Sequence, residues 1–101
     1  MFATPVHHVI FPIFFEMFEL VSFVGRGRAR KQVLKALVKP NFPTDLAKKL
    51  DIDRSTISQV MIELTEKGLV ECLTPDERMG RYYRITETGR KVIAIIEGKG
   101  E

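Results

Sequence analysis

A chain of 101 residues has the length of one compact unit, and an apolar fraction of 45% is that of a globular protein, not a disordered one. Its 16 Lys and Arg outweigh 13 Asp and Glu, yet the first 25 residues hold no basic residue and two acids, Glu16 and Glu19. The single cysteine, Cys72, excludes an intrachain disulfide, and no Cys/His spacing of a structural zinc site occurs, so a reducing, cytoplasmic setting is expected.

The basic body joined to an apolar arm suggests a polyanion as partner for the body and a protein as partner for the arm. The uncharged run from Met1 to Phe15 is too short to span a bilayer and is broken by Pro5 and Pro12. It also lacks the positive flank of a signal peptide, so neither membrane insertion nor secretion is expected. Met17 offers an alternative start to the chain.

In chain order, residues 1–12 read as an irregular arm. From Ile13 to Val24 a helical stripe appears, with Ile13, Met17, Leu20 and Val24 in line and Phe14, Phe18 and Val21 beside them. Gly25 and Gly27 should break it. A second helix is expected over about Arg28 to Lys39, with Val33, Leu34, Leu37 and Val38 facing a core, and Pro40 and Pro43 enclose a loop. "PTDLAKKL" reads as a short helix burying Leu46, Ala47 and Leu50, and "DID" as a tight turn around Ile52.

Asp53 is then a good N-cap, its carboxylate within reach of exposed amides at Ser55 or Thr56. The helix "RSTISQVMIELTEK" should end at Gly68, a residue suited to the left-handed C-terminal position. "LVECL" and "RYYRIT" read as strands joined by "TPDERMG". Alternation turns Tyr83 and Ile85 inward and Tyr82 and Arg84 outward, and Cys72 shares the inward side with Val70. A last helix from about Glu87 carries Val92, Ile93, Ile95 and Ile96 around most of its circumference, so it must be covered on more than one side.

The expected fold is therefore mainly α with a small β-hairpin, in the order α-α-α-α-β-β-α. A short helix, a tight turn and a longer helix followed by a hairpin define a winged helix-turn-helix. From about Leu20 to Glu97 the residues "GRARKQVLKAL", "FPTDLAKKLDIDRSTISQVMIELTEKGLVECL" and "MGRYYRITETGRKVI" make the chain similar to archaeal winged-helix regulators of the MarR/ArsR-like group. The resemblance implies binding to double-stranded DNA and a role in transcription regulation. It does not reach the aromatic arm, and the basic residues frequent in that group are replaced here by Gln59 and Ile62.

On a wheel of about 100° per residue, Ile57, Val60, Met61 and Leu64 gather on one side of the longer helix. Ser55, Ser58, Gln59 and Ile62 lie opposite, with Thr56 at the margin. In a helix-turn-helix that outer face enters the major groove, where hydroxyls permit close approach and Gln59 can pair with the N6/N7 edge of adenine. A merely solvated face is expected to hold Lys and Glu, which favour helix more than "STISQ" does. Arg54 on the first turn suits phosphate or an outer guanine. Arg78 and Arg81 bracket Gly80 at the hairpin tip, where a guanidinium can enter a narrow minor groove, although Asp76 and Glu77 share the loop.

Arg26, Arg28, Arg30 and Lys31 crowd a helix N-terminus, where the dipole disfavours positive charge. A phosphate should compensate, or else Glu16 or Glu19. The G-x-G here lacks the spacing of a nucleotide-binding loop. No catalytic constellation is recognisable, so an enzyme is not expected, and neither is a cofactor. Adjacent His7 and His8 with Cys72 raise metal sensing, but no cysteine-rich ligand box accompanies them, so no metal is expected either. A small-molecule effector is left open.

Residues 1–25 are thus expected to be an arm and dimerisation helix, and residues 26–101 the DNA-binding domain with its C-terminal helix. Phe11, Phe14, Phe18 and Val21 with Ile93 and Ile96 form the expected homodimer interface, since so much apolar surface exceeds what one small domain covers. The alternative is a winged-helix interaction module within a larger assembly, or a non-specific architectural DNA-binding protein. The hydroxyl-rich helix face and its basic surroundings favour sequence-specific reading of a (pseudo)palindromic site.

Overall fold

The computed structural model describes residues 17–98. The proline-punctuated arm, with Phe11 and Phe14 of the expected dimer interface and His7 and His8, lies outside the described residues. So does the predicted helix start at Ile13. Within the described part, helix α1 occupies residues 17–26 and runs on through Gly25 and Arg26, across the boundary that the charge pattern draws at residue 25. The chain leaves the helical conformation at Gly27, whose amide still bonds the Val24 carbonyl at 3.2 Å. Val24 is fully buried, and Met17, Leu20, Val21 and Phe23 lean on the same core.

Helix α2 (Arg28–Ala36) buries Val33 and Leu34 and ends earlier than the sequence suggests. Leu37 stays in the core, but Val38 is 41% exposed instead of buried. The reason is a competing partner for the backbone: the Leu37 carbonyl accepts the Ile85 amide at 2.9 Å. The chain then turns through residues 37–39 to Pro40. Asn41 next exchanges both backbone hydrogen bonds with Tyr83, at 3.0 and 2.9 Å. This isolated one-residue bridge lies beside the hairpin, and no alternation in the sequence marks it.

Helix α3 (Pro43–Leu50) opens on proline at its first turn, where a missing N–H is harmless, and buries Leu46 and Ala47. Leu50 is only half-buried. The turn after it depends on Asp51, which takes the left-handed conformation (φ 57°) that Asp tolerates better than most residues. Ile52 then donates to the Ala47 carbonyl at 3.0 Å. Helix α4 (Arg54–Glu66) buries Ile57, Val60, Met61 and Leu64 against α2 and α3, the side assigned to the core from the wheel. Gly68 (φ 73°) closes it, with its own amide on Thr65 and that of Leu69 on Leu64, the paired bonds of a Schellman ending.

Strands β1 (Val70–Cys72) and β2 (Tyr83–Ile85) pair antiparallel, with Val70 opposite Ile85 and Cys72 opposite Tyr83. Both are shorter than the apolar runs that announce them. Cys72 is half-buried on the hairpin, not enclosed in the core. Helix α5 (Glu87–Ile96) is capped by Thr86, whose hydroxyl accepts the Gly89 amide at 3.1 Å and donates to the Gly68 carbonyl at 2.7 Å. One side chain thus ties the end of α4 to the start of α5. Lys35 and Glu97 join α2 to the far end of α5 at 2.7 Å. The result is one layer of helices around a common apolar core, flanked by a hairpin. The order α-α-α-α-β-β-α agrees with the sequence reading. Truncating a fully enclosed residue such as Leu34 to alanine should cost about 2–5 kcal/mol.

Candidate nucleic-acid interface

The outer face of α4 begins with a cap that also binds side chains. Asp53 accepts the Thr56 amide at 3.2 Å, the Thr56 hydroxyl at 2.6 Å and the Ser55 hydroxyl. These bonds, led by the one from Ser55, hold the Asp53 carboxyl below its ordinary value. A hydroxyl has one hydrogen, so Ser55 and Thr56 give theirs to Asp53 and are left with acceptor capacity alone. Ser58 and Gln59 are exposed beyond them, and Ile62 is 53% exposed. Arg54 is exposed on the first turn.

Gln59 donates from Nε2 to Glu63 Oε2 one turn later, a long hydrogen bond of 3.5 Å. Glu63 in turn receives Arg30 Nε at 3.0 Å across the gap between α4 and α2. Arg30 also donates to the Phe23 carbonyl at 2.9 Å and lies 3.8 Å from the centre of the Phe23 ring. Lys67 approaches the same ring at 5.1 Å. The Arg30 stem crosses Gly27, where a Cβ would come within 2.9 Å of it. Of the basic cluster expected on phosphate, Arg30 therefore faces inward, while Arg26, Arg28 and Lys31 are exposed. Glu63 is the acid that pairs with Arg30, near the α2 N-terminus. The Arg30 hydrogen bond is the main reason the Glu63 carboxyl lies below its ordinary value.

The wing, residues 73–82, is pinned at its base. Leu73 donates to the Tyr82 carbonyl at 2.6 Å, Tyr82 donates to the Thr74 hydroxyl at 2.9 Å, and the Phe42 and Tyr82 rings meet at 4.7 Å. Tyr82, expected outward, is thereby half-buried. Arg84 is outward as expected and pairs with Glu71 at 2.7 Å. At the tip Arg78, Met79 and Arg81 are exposed, and Arg81 Nε donates to the Glu77 carbonyl at 2.8 Å. Arg81 also shares a groove of about 380 Å³ with Ser58, Ile62, Thr65 and Pro43, so the wing and the outer face of α4 border one continuous surface.

The expected dimer residues divide. Phe18 is 67% exposed, Val21 and Ile96 are half-buried, and Ile93 is 7% exposed, already packed in its own core. Ile95 presents more surface than either isoleucine neighbour, at 49%. Neither the Arg30–Glu63 pair nor the role of Phe23 was legible in the sequence, although the spacing of Gln59 and Glu63 is that of a helical side-chain pair.

A helix-turn-helix with a bordering hairpin wing defines the winged-helix class. Residues 19–98 match the family described as the HVO_A0261 N-terminal domain, and the chain belongs to that family. A search of curated protein sequences found no match. Among solved structures, the chain is similar to the MarR family transcription regulator SP03579 (TM-score 0.66, 21% identity) over 94% of this chain and 63% of that one. It is also similar to a mutant MarR from E. coli complexed with operator DNA (TM-score 0.65, 22% identity, 95% and 71% of the two chains). A third is ZitR of Lactococcus lactis, a mutant in apo form (TM-score 0.55, 14% identity, 97% and 69%). The chain thus spans about two-thirds of the length of these regulators and shares their fold.

Proposed function

We propose that the protein is a transcription regulator that binds double-stranded DNA, with α4 in the major groove and the wing near the minor groove. The supporting observation is the continuous surface on which Ser58 and Ile62 of α4 adjoin Arg81 of the wing. In a groove about 12 Å wide, short Ser55 and Ser58 permit close approach and Gln59 can pair with a base edge, with cations beside them. Arg54, Arg78, Arg81, Arg26 and Arg28 supply those cations, and their guanidinium groups suit phosphate oxygens. Ser55 and Thr56, whose hydroxyl hydrogens go to Asp53, can accept from a base amino group. The structural neighbour crystallised with operator DNA gives the same fold a precedent for this use.

The protein acts as a homodimer in this reading, presenting two copies of α4 to a (pseudo)palindromic site. Phe18, Val21 and Ile96, joined by Ile95 and underlain by Ile93, supply the described part of that interface, and Phe11 and Phe14 extend it. The role is one of binding, not catalysis. No described helix is long and apolar enough to cross a membrane. The test is titration of the full chain into labelled duplex DNA at low salt and again as salt rises. Binding that weakens with salt supports the reading, and absence of binding at low salt contradicts it.

A further inference from the structure

We propose that Glu63, gripped by Arg30, fixes which end of the Gln59 amide faces the DNA, and so determines base preference without touching a base. The inference rests on the reading of α4 as the helix that enters the groove.

A glutamine amide carries an acceptor at one end and two donor hydrogens at the other, and a free side chain presents either end. A carboxylate only accepts. With Glu63 Oε2 at 3.5 Å, the nitrogen end must face Glu63, because the carbonyl end would set oxygen against oxygen. One Gln59 hydrogen is then used on Glu63. The other remains beside Oε1, and together they form the two-point edge that matches N7 and N6 of adenine. A reversed amide presents the same two groups in the opposite order and mismatches that base.

The carboxylate that receives this amide is itself fixed in place. Glu63 is held by Arg30 at 3.0 Å, and Arg30 is held at two other places, the Phe23 carbonyl and the Phe23 ring. Three elements, α1, α2 and α4, therefore converge on one amide. The same pairing with Arg30 lowers the Glu63 pKa and so favours the carboxylate, which only accepts. An anion beside this face repels phosphate, a cost that selectivity at Gln59 would offset. Glu63 and Arg30 are positioning residues in this scheme, and Gln59 makes the contact.

The test uses Glu63→Gln, which keeps size and removes both the charge and the acceptor-only character. In the free protein, nitrogen-15 NMR at neutral pH should show the Gln59 side-chain NH2 pair shifted from free-glutamine values in the wild type and moved toward them in the variant. Binding-site selection should then show that Glu63→Gln loses preference at the same base pair as Gln59→Ala. At that position a discrimination of about tenfold in Kd should fall to about twofold or less. Affinity for unrelated duplex should be equal or tighter, and combining the two substitutions should relax that position no further. A destabilised fold alone would weaken all sequences alike, which overturns the proposal, as does a variant that keeps the wild-type base preference. A wild type that enriches no motif overturns the reading of α4 itself, an outcome distinct from either.

Discussion

Gly89, in the first turn of α5, lies directly against the backbone carbonyl of Leu69, with the Ile85 side chain closing the remaining space. Exchange of glycine for alanine within a helix ordinarily stabilises it by about 1 kcal/mol. Here a methyl group would meet a carbonyl that is itself bonded to the Thr86 amide at 2.9 Å and cannot turn aside. Overpacking of this kind costs about 1–3 kcal/mol, and the rigid neighbour argues for the upper part of that range. Gly89→Ala should therefore lower the Tm by several degrees in a circular-dichroism melt. A raised Tm would show that the junction of hairpin and α5 has room to yield.

The larger features of this fold were legible because each rests on local chemistry. Pro43 and Gly68 mark the ends of α3 and α4, Asp53 caps α4, and the stripe of Ile57, Val60, Met61 and Leu64 gives the buried side. What escaped depends on partners distant in sequence. Val38 turned outward because the Leu37 carbonyl goes to Ile85, and Arg30 turned inward because Glu63 waits on another helix. Ile93 belongs to the chain's own core, a distinction that four isoleucines and valines on one helix cannot convey. The candidate site was visible as a pattern of residue types, but the hydrogen bonds that engage Ser55, Thr56 and Gln59 within the chain were not.

The Asp53 cap makes stability depend on pH in a stated direction. Its carboxyl is held below the usual value, chiefly by the Ser55 hydroxyl and then by Thr56, so the folded state favours the ionised form. Stability from this group is complete above its unfolded pKa of about 3.9 and is lost as pH falls through the lower folded value. Asp53→Asn should melt close to the wild type at neutral pH, since asparagine caps comparably, and should lose less stability than the wild type below about pH 4. Equal acid sensitivity in both proteins would place the cause elsewhere.

The arginines should separate by the salt dependence of DNA binding. Arg81→Ala and Arg28→Ala should each flatten the plot of log affinity against log salt by roughly one unit for every phosphate that is no longer neutralised. Arg30→Ala should leave that slope unchanged, because its guanidinium is spent on Glu63 and Phe23. A flattened slope for Arg30→Ala would return it to the phosphate backbone.

Assembly is tested at Phe18 and Ile95, exposed in the single chain at 67% and 49%. Light scattering at micromolar concentration should report a dimer. Because neither side chain supports the core of one chain, Phe18→Glu combined with Ile95→Glu should yield a folded monomer with unchanged helical content. A wild type that is monomeric would remove the geometric basis for a two-fold site.

The central claim is that α4 reads bases, and the most direct measurement is binding-site selection with the wild type and Gln59→Ala side by side. The wild type should enrich a motif with two half-sites about one helical turn, or roughly 34 Å, apart, because a dimer offers both helices to one face of the duplex. A good two-point pairing discriminates by roughly 1–3 kcal/mol, so Gln59→Ala should relax preference at one position in each half-site and leave non-specific binding nearly unchanged. Loss of affinity shared equally by all sequences, or a wild type that enriches no motif, would contradict the account.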